Sequence, residues 1–216
     1  MIQLFWDYSD TLLPFFTILC LLLFGKQIKV FWLLFSFLLT TTVLMGYSNY
    51  LADRRINNMW IYHVYSLVEV FLLIPLLREL TKLKWWLYVM TIISFCVFWI
   101  FDIIFWESTK QFNSNTASLS ALLILVFSFV FFYRLIKSEL LLDFQKSPAF
   151  WIVSGLLFYS VTGILVLASY KYKTWFTDIN THVAWRLLQI GNIIKFGLII
   201  IGILCSHRYN SRDRLL

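Results

Sequence analysis

The 216-residue chain is 61% hydrophobic and 20% aromatic, with only 13% charged residues, against about 25% in an average soluble domain. A water-soluble fold of this length has no core large enough to hide that much apolar surface, so a bilayer is the expected solvent. The formal charge of +7 sits in short loops beside apolar runs, a placement that orients a membrane protein and argues against nucleic acid as a partner.

Apolar segments at residues 4–24, 30–51, 59–77, 85–105, 117–135, 148–168 and 183–205 each approach the ~20 residues that a helix needs to cross the hydrocarbon. The expected fold is therefore all-α, one polytopic domain over residues 1–216 built as a seven-transmembrane helix bundle.

The first span reaches full length only by including Asp7 and Asp10 near its outer end, and Pro14 is expected to kink it. Its start, Met1-Ile2-Gln3-Leu4-Phe5-Trp6-Asp7, has no basic leader, and no small-residue cleavage site follows. The helix is expected to act as its own insertion signal. On the third span, at 100° per residue, Asn58, Tyr62, Tyr65, Ser66 and Glu69 fall on one side, with His63 on the flank. Asp102 ends the fourth. Arg134 to Lys146 mixes charges with leucines and Phe144, which suits either an interfacial amphipathic turn or an extension of the fifth helix.

Ser147-Pro148 caps and opens the sixth span. There Trp151, Phe158 and Tyr159 either pack or line a pocket, while Ser154, Ser160 and Thr162 bond across helices or to their own backbone. On the seventh, His182, Trp185, Arg186 and Gln189 share a face, Asn192 lies at its edge, and Lys195 is rotated further round.

Lysines and arginines set the orientation. With the N-terminus outside, the inner segments hold Lys26, Lys29, Arg78, Lys82, Lys84, Arg134, Lys137, Lys146, Arg208, Arg212 and Arg214, and the outer ones Arg54, Arg55, Lys110, Lys171 and Lys173. Eleven against five favours N-outside, C-inside. The location that follows is a multi-pass place in a membrane. Cys20, Cys96 and Cys205 fit neither a disulfide framework nor a zinc site and read as buried free thiols.

Glu69 and Lys195 are the chemically informative pair. They lie ten and twelve residues below the outer ends of their spans, a difference of about 3 Å in depth at the helical rise. A full charge facing lipid costs roughly 2.5–3.5 kcal/mol or more, so both are expected to face a protein-lined interior. A direct ion pair is one arrangement, with an inter-helix clamp as its structural role. The helical phase of Lys195 makes Asn192 or Gln189 rival partners for Glu69. Nearer the outer surface, Tyr62, His63, Asp102 and Arg186 are candidates for the rim of a cavity, although Asp102 and Arg186 can also snorkel to water. The candidate site is thus Glu69, Lys195, Tyr62, His63, Ser66, Asp102, Arg186, Gln189 and Asn192.

Two stretches are alike. Phe31-Trp32 and Phe150-Trp151 each lead into a helix, and Ile56-Asn57-Asn58 and Ile179-Asn180-Thr181 each precede the next. An offset of 123 maps Tyr62 to Trp185, Ser66 to Gln189 and Glu69 to Asn192. This implies a 3+1+3 parallel repeat with the fourth helix as linker, a device known in transporters.

The run Asn57-Asn58-Met59-Trp60-Ile61-Tyr62-His63-Val64-Tyr65-Ser66-Leu67-Val68-Glu69, and Pro148-Ala149-Phe150-Trp151-Ile152-Val153-Ser154-Gly155, resemble segments of uncharacterised bacterial seven-helix membrane proteins. That resemblance covers most of the chain and implies a membrane partner for a separately encoded sensor kinase. Ile193-Ile194-Lys195-Phe196-Gly197-Leu198-Ile199 resembles the surroundings of the retinal-binding lysine of microbial rhodopsins, which would make Glu69 a counterion. The third helix lacks that family's arginine–carboxylate–tryptophan pattern, and the sixth lacks its tryptophan–tyrosine–proline pocket.

The expected function is a sensor or receptor-like component. It would hold a small ligand at the polar intramembrane site and signal through a cytoplasmic kinase or another protein. A small-solute transporter is the alternative. No cofactor or metal is called for, and no catalytic motif is present: a three-histidine zinc site is implausible, and nothing resembles a nucleophile elbow.

Overall fold

The computed structural model describes residues 2–25, 28–137, 144–170 and 178–213. Its helices are α1 (Ile2–Phe24), α2 (Phe31–Asp53), α3 (Met59–Thr81), α4 (Trp85–Phe105), α5 (Asn115–Ile136), α6 (Pro148–Tyr170) and α7 (Asp178–Asp213). Seven are long and apolar enough to cross a membrane. Helix is the state a lipid-exposed chain must take, because every backbone N–H and C=O then finds its partner within the segment.

Helix ends differ from the apolar boundaries where polar flanks continue the hydrogen-bond ladder. The largest case is α7, which runs 36 residues. Hydropathy marks where a helix leaves the hydrocarbon, not where its backbone pairing stops. Pro14 lies inside α1, which continues through it as one helix. Pro148 opens α6 as expected, with Phe150 N–H donating to the Ser147 carbonyl at 3.2 Å. Helix α5 ends at Ile136 and a short turn covers Phe144–Lys146. The proposed amphipathic stretch between them falls largely on residues 138–143, outside the described residues.

Six helices close a ring in the order α1, α2, α3, α5, α6, α7 and back to α1, while α4 packs outside against α3 and α5. The seams α3–α5 and α7–α1 join the first three helices to the last three.

The ring interior has two different halves. Toward the end that holds the C-termini of α1 and α3 it is dry: Leu21, Leu34, Phe37, Leu38, Leu73, Ile74, Leu77, Ile124, Ile152, Val153, Phe196, Ile199 and Ile203 are buried in one apolar cluster. Lipid is as apolar as these side chains, so close packing and not water exclusion holds them together. Close approach is clearest between α6 and α7. A Cβ on Gly155 would lie 2.7 Å from the Lys195 carbonyl oxygen, and one on Gly202 would lie 2.9 Å from that of Pro148.

Large apolar side chains cover the outside, among them Leu23, Trp32, Phe105 and Leu165. Trp85 and Trp86 at one end of α4, and Trp106 at the other, are also exposed, as expected of interfacial anchors. The three cysteines are free and half-buried rather than fully buried, because each sits toward the helix surface.

Candidate functional site

The half of the ring that holds the N-termini of α3 and α7 is polar inside. A cavity with about 800 Å³ of empty space, including the part that merges with solvent, extends from Tyr62, Phe112 and Trp185 to Glu69 and Lys195.

Glu69 is 3% exposed and well supplied with donors. Ser120 on α5 donates to Oε2 at 2.7 Å, and Tyr65, one turn away on α3, donates to Oε1 at 3.3 Å. The Tyr159 hydroxyl on α6 also reaches this carboxylate. These hydroxyls replace the water that a carboxylate loses on burial.

Lys195, at 1% exposure, does not pair with Glu69. Among the described residues the ion pair within 4.0 Å is Arg78–Glu79. The Lys195 ammonium instead sits 3.6 Å from the Tyr159 ring centre, 4.5 Å from that of Phe196 and 5.8 Å from that of Phe37. Its charge is held by aromatic faces. Glu69 and Asp10 act on it through space.

Asp10, treated from sequence only as a burden on the first span, is a cavity wall. It accepts a hydrogen bond from Asn192 Nδ2 at 2.9 Å across the α1–α7 seam. The α3–α5 seam carries Glu69–Ser120 at 2.7 Å. Glu69 and Asn192 are the residues matched by the offset of 123, so corresponding positions bridge both seams. The other matched pairs also face the cavity: Tyr62 with Trp185, whose ring centres are 6.2 Å apart, and Ser66 with Gln189.

Phe112 completes a three-ring cluster, 6.0 Å from Tyr62 and 6.2 Å from Trp185. It lies in the loop between α4 and α5, and that loop is firmly held. Asn113 donates from Nδ2 to the Tyr62 carbonyl and to Ser66 Oγ, each at 3.0 Å. Glu107 accepts from the backbone N–H groups of Ser114 and Asn115, at 2.8 and 3.0 Å, capping the start of α5 with a negative charge.

Of the residues expected in the site, Glu69, Lys195, Tyr62, Ser66, Gln189 and Asn192 line the cavity, whereas His63, Asp102 and Arg186 do not. His63 lies 3.3 Å from the Gln111 carbonyl, and Trp99 donates to its backbone oxygen at 2.9 Å. Asp102 is fully buried and accepts from Asn115 at 2.7 Å. Arg186 donates to Gln189 Oε1 at 2.9 Å and stacks 5.0 Å over Trp6, which displaces the expectation that it rims the opening. Gln189 spends its amide nitrogen on the Trp6 carbonyl at 2.8 Å and is not a partner of Glu69. The His182 side chain lies outside the described residues.

Sequence reasoning missed Asp10, Thr41, Phe112 and Asn113. Asp10 had a signal, an acidic residue inside an apolar span, but no way to show which neighbour it faced.

No protein-family model, curated protein or solved structure matches this chain. Fold and site together define it as a multi-pass, seven-helix membrane protein, in contact with the lipid bilayer, with a polar cavity in one half of the bundle.

Proposed function

We propose that this protein is a receptor-like component of a bacterial cytoplasmic membrane, binding a small solute in the outer cavity and signalling through a separate cytoplasmic protein, a kinase in this reading. One observation carries it: the cavity stops at Lys195 and Phe196, and the inner half of the ring is filled by the apolar cluster. A solute entering from outside has a binding place and no path onward. Occupancy shifts the helices only if the two arrangements of the bundle bind it with different affinity.

Transport is the second reading, favoured by a different observation. The cavity lies where two three-helix halves meet, and matched positions line both sides. Rocking one half against the other would expose it to the inside.

The experiment has two arms on protein reconstituted in lipid. Solutes that raise its thermal stability are identified first, then offered radiolabelled to proteoliposomes. Stabilisation without uptake supports the receptor, uptake abolished by Glu69→Gln supports the carrier, and stabilisation by no solute rejects both.

A further inference from the structure

Three charged side chains line the cavity, Asp10, Glu69 and Lys195, and their partners are unequal. Glu69 takes hydroxyl donors from Ser120, Tyr65 and Tyr159, three for the roughly four acceptor sites of a carboxylate. Asp10 takes one side-chain donor, Asn192. Lys195 presents three N–H donors to aromatic faces and meets no acceptor among the described residues. Asn192 Oδ1 and Thr41 Oγ1, from residues that line the same cavity, are buried without hydrogen-bond partners among the described residues, and Thr41 is only 2% exposed. Asn192 and Lys195 are three residues apart on α7, about 4.5 Å along the axis. The cavity thus holds an ammonium without an acceptor among the described residues and, one helical turn along α7, an amide oxygen without a donor next to the half-buried Asp10 carboxylate, which takes one.

Charge balance narrows what fits. With two carboxylates and one ammonium, a simple anion adds to an existing negative excess. A simple cation balances the sum but leaves Lys195 without an acceptor. A zwitterion adds no net charge and meets both needs.

Resting on the binding reading above, we propose that the cavity takes a small zwitterion of the amino-acid class. Its carboxylate lies on Lys195, its ammonium lies between Asp10 and Asn192 Oδ1, and its side chain points to Tyr62, Phe112 and Trp185.

The test is calorimetric titration of the full chain in lipid nanodiscs with the common L-amino acids, and with two matched sets. These are L-leucine with isoamylamine and isocaproate, and L-phenylalanine with phenethylamine and hydrocinnamate. At least one amino acid is expected to bind about tenfold more tightly than its amine and its acid. Lys195→Met should then favour the amine, and Asp10→Asn the acid. Asn192→Leu, which removes no charge, should weaken the amino acid and the amine but not the acid, and thermal unfolding shows which variants are folded. The proposal is overturned if no amino acid binds, if an amine or acid binds as well as its parent, or if folded variants weaken all three alike. Amino-acid binding without uptake or signalling would keep this proposal and sink the function built on it. Binding of another solute alone would do the reverse.

Discussion

Lys195 holds its ammonium 3.6 Å from the centre of the Tyr159 ring, and the hydroxyl of that same ring reaches Glu69. The two opposite charges of the bundle are therefore joined through one aromatic side chain and not by direct contact. The arrangement leaves the N–H groups of Lys195 without an acceptor among the described residues.

Tyr159→Phe keeps the ring and removes the hydroxyl that reaches both Glu69 and Tyr65, so it should cost about 1 kcal/mol for each hydrogen bond lost. Tyr159→Leu also removes the aromatic face and should cost roughly 1–2 kcal/mol more. In a Lys195→Met background that gap should shrink, as measured by unfolding in detergent micelles. An unchanged gap would mean that the ring does not hold the ammonium.

Glu69→Ala leaves the hydroxyls of Ser120, Tyr65 and Tyr159 without their acceptor. The expected loss is about 1–3 kcal/mol for the first of these groups and more if the others cannot re-pair. Glu69→Gln keeps one acceptor oxygen and should lose less. Comparing the two unfolding midpoints checks the order, and a larger loss for the glutamine variant would contradict the hydroxyl cradle.

Gly155→Ala places a methyl 2.7 Å from the Lys195 carbonyl oxygen, whereas Gly197→Ala meets nothing within 4 Å. The first should destabilise by roughly 1–3 kcal/mol. The second should be neutral, or stabilise by up to about 1 kcal/mol through helix propensity. Equal effects would show that α6 and α7 are not in backbone contact at this level.

Phe112→Ala removes one of the three rings at the outer end of the cavity. A reporter cysteine at Met45, which lines that cavity, should then react faster with a water-soluble maleimide. Cys20, Cys96 and Cys205 are replaced by serine in the reporter protein. Labelling at an unchanged rate would place the access route elsewhere.

Much of the site was legible one helix at a time. The stripe Asn58, Tyr62, Tyr65, Ser66 and Glu69 was visible because residues three and four apart share a face, and the last four line the cavity, whereas Asn58 bonds Ser48 instead. Asn192 was recognised, but as a partner for Glu69, whereas it bonds Asp10. His63 and Asp102 looked like a cavity rim because they share its depth. Depth is set by position along a helix, but facing is set by neighbours, which are the α4–α5 loop at Gln111 for His63 and the first residue of α5, Asn115, for Asp102.

Hydropathy alone determined the seven crossings, since each segment's transfer into lipid depends on its own composition and length. Burying Glu69 and Lys195 was equally local, because neither charge can face hydrocarbon cheaply. Only the tertiary structure decided that they stand apart, with Tyr159 between them and Asp10 drawn into the same cavity. Those choices depend on the rotation and order of helices around the ring, which arise from packing between segments far apart in the chain.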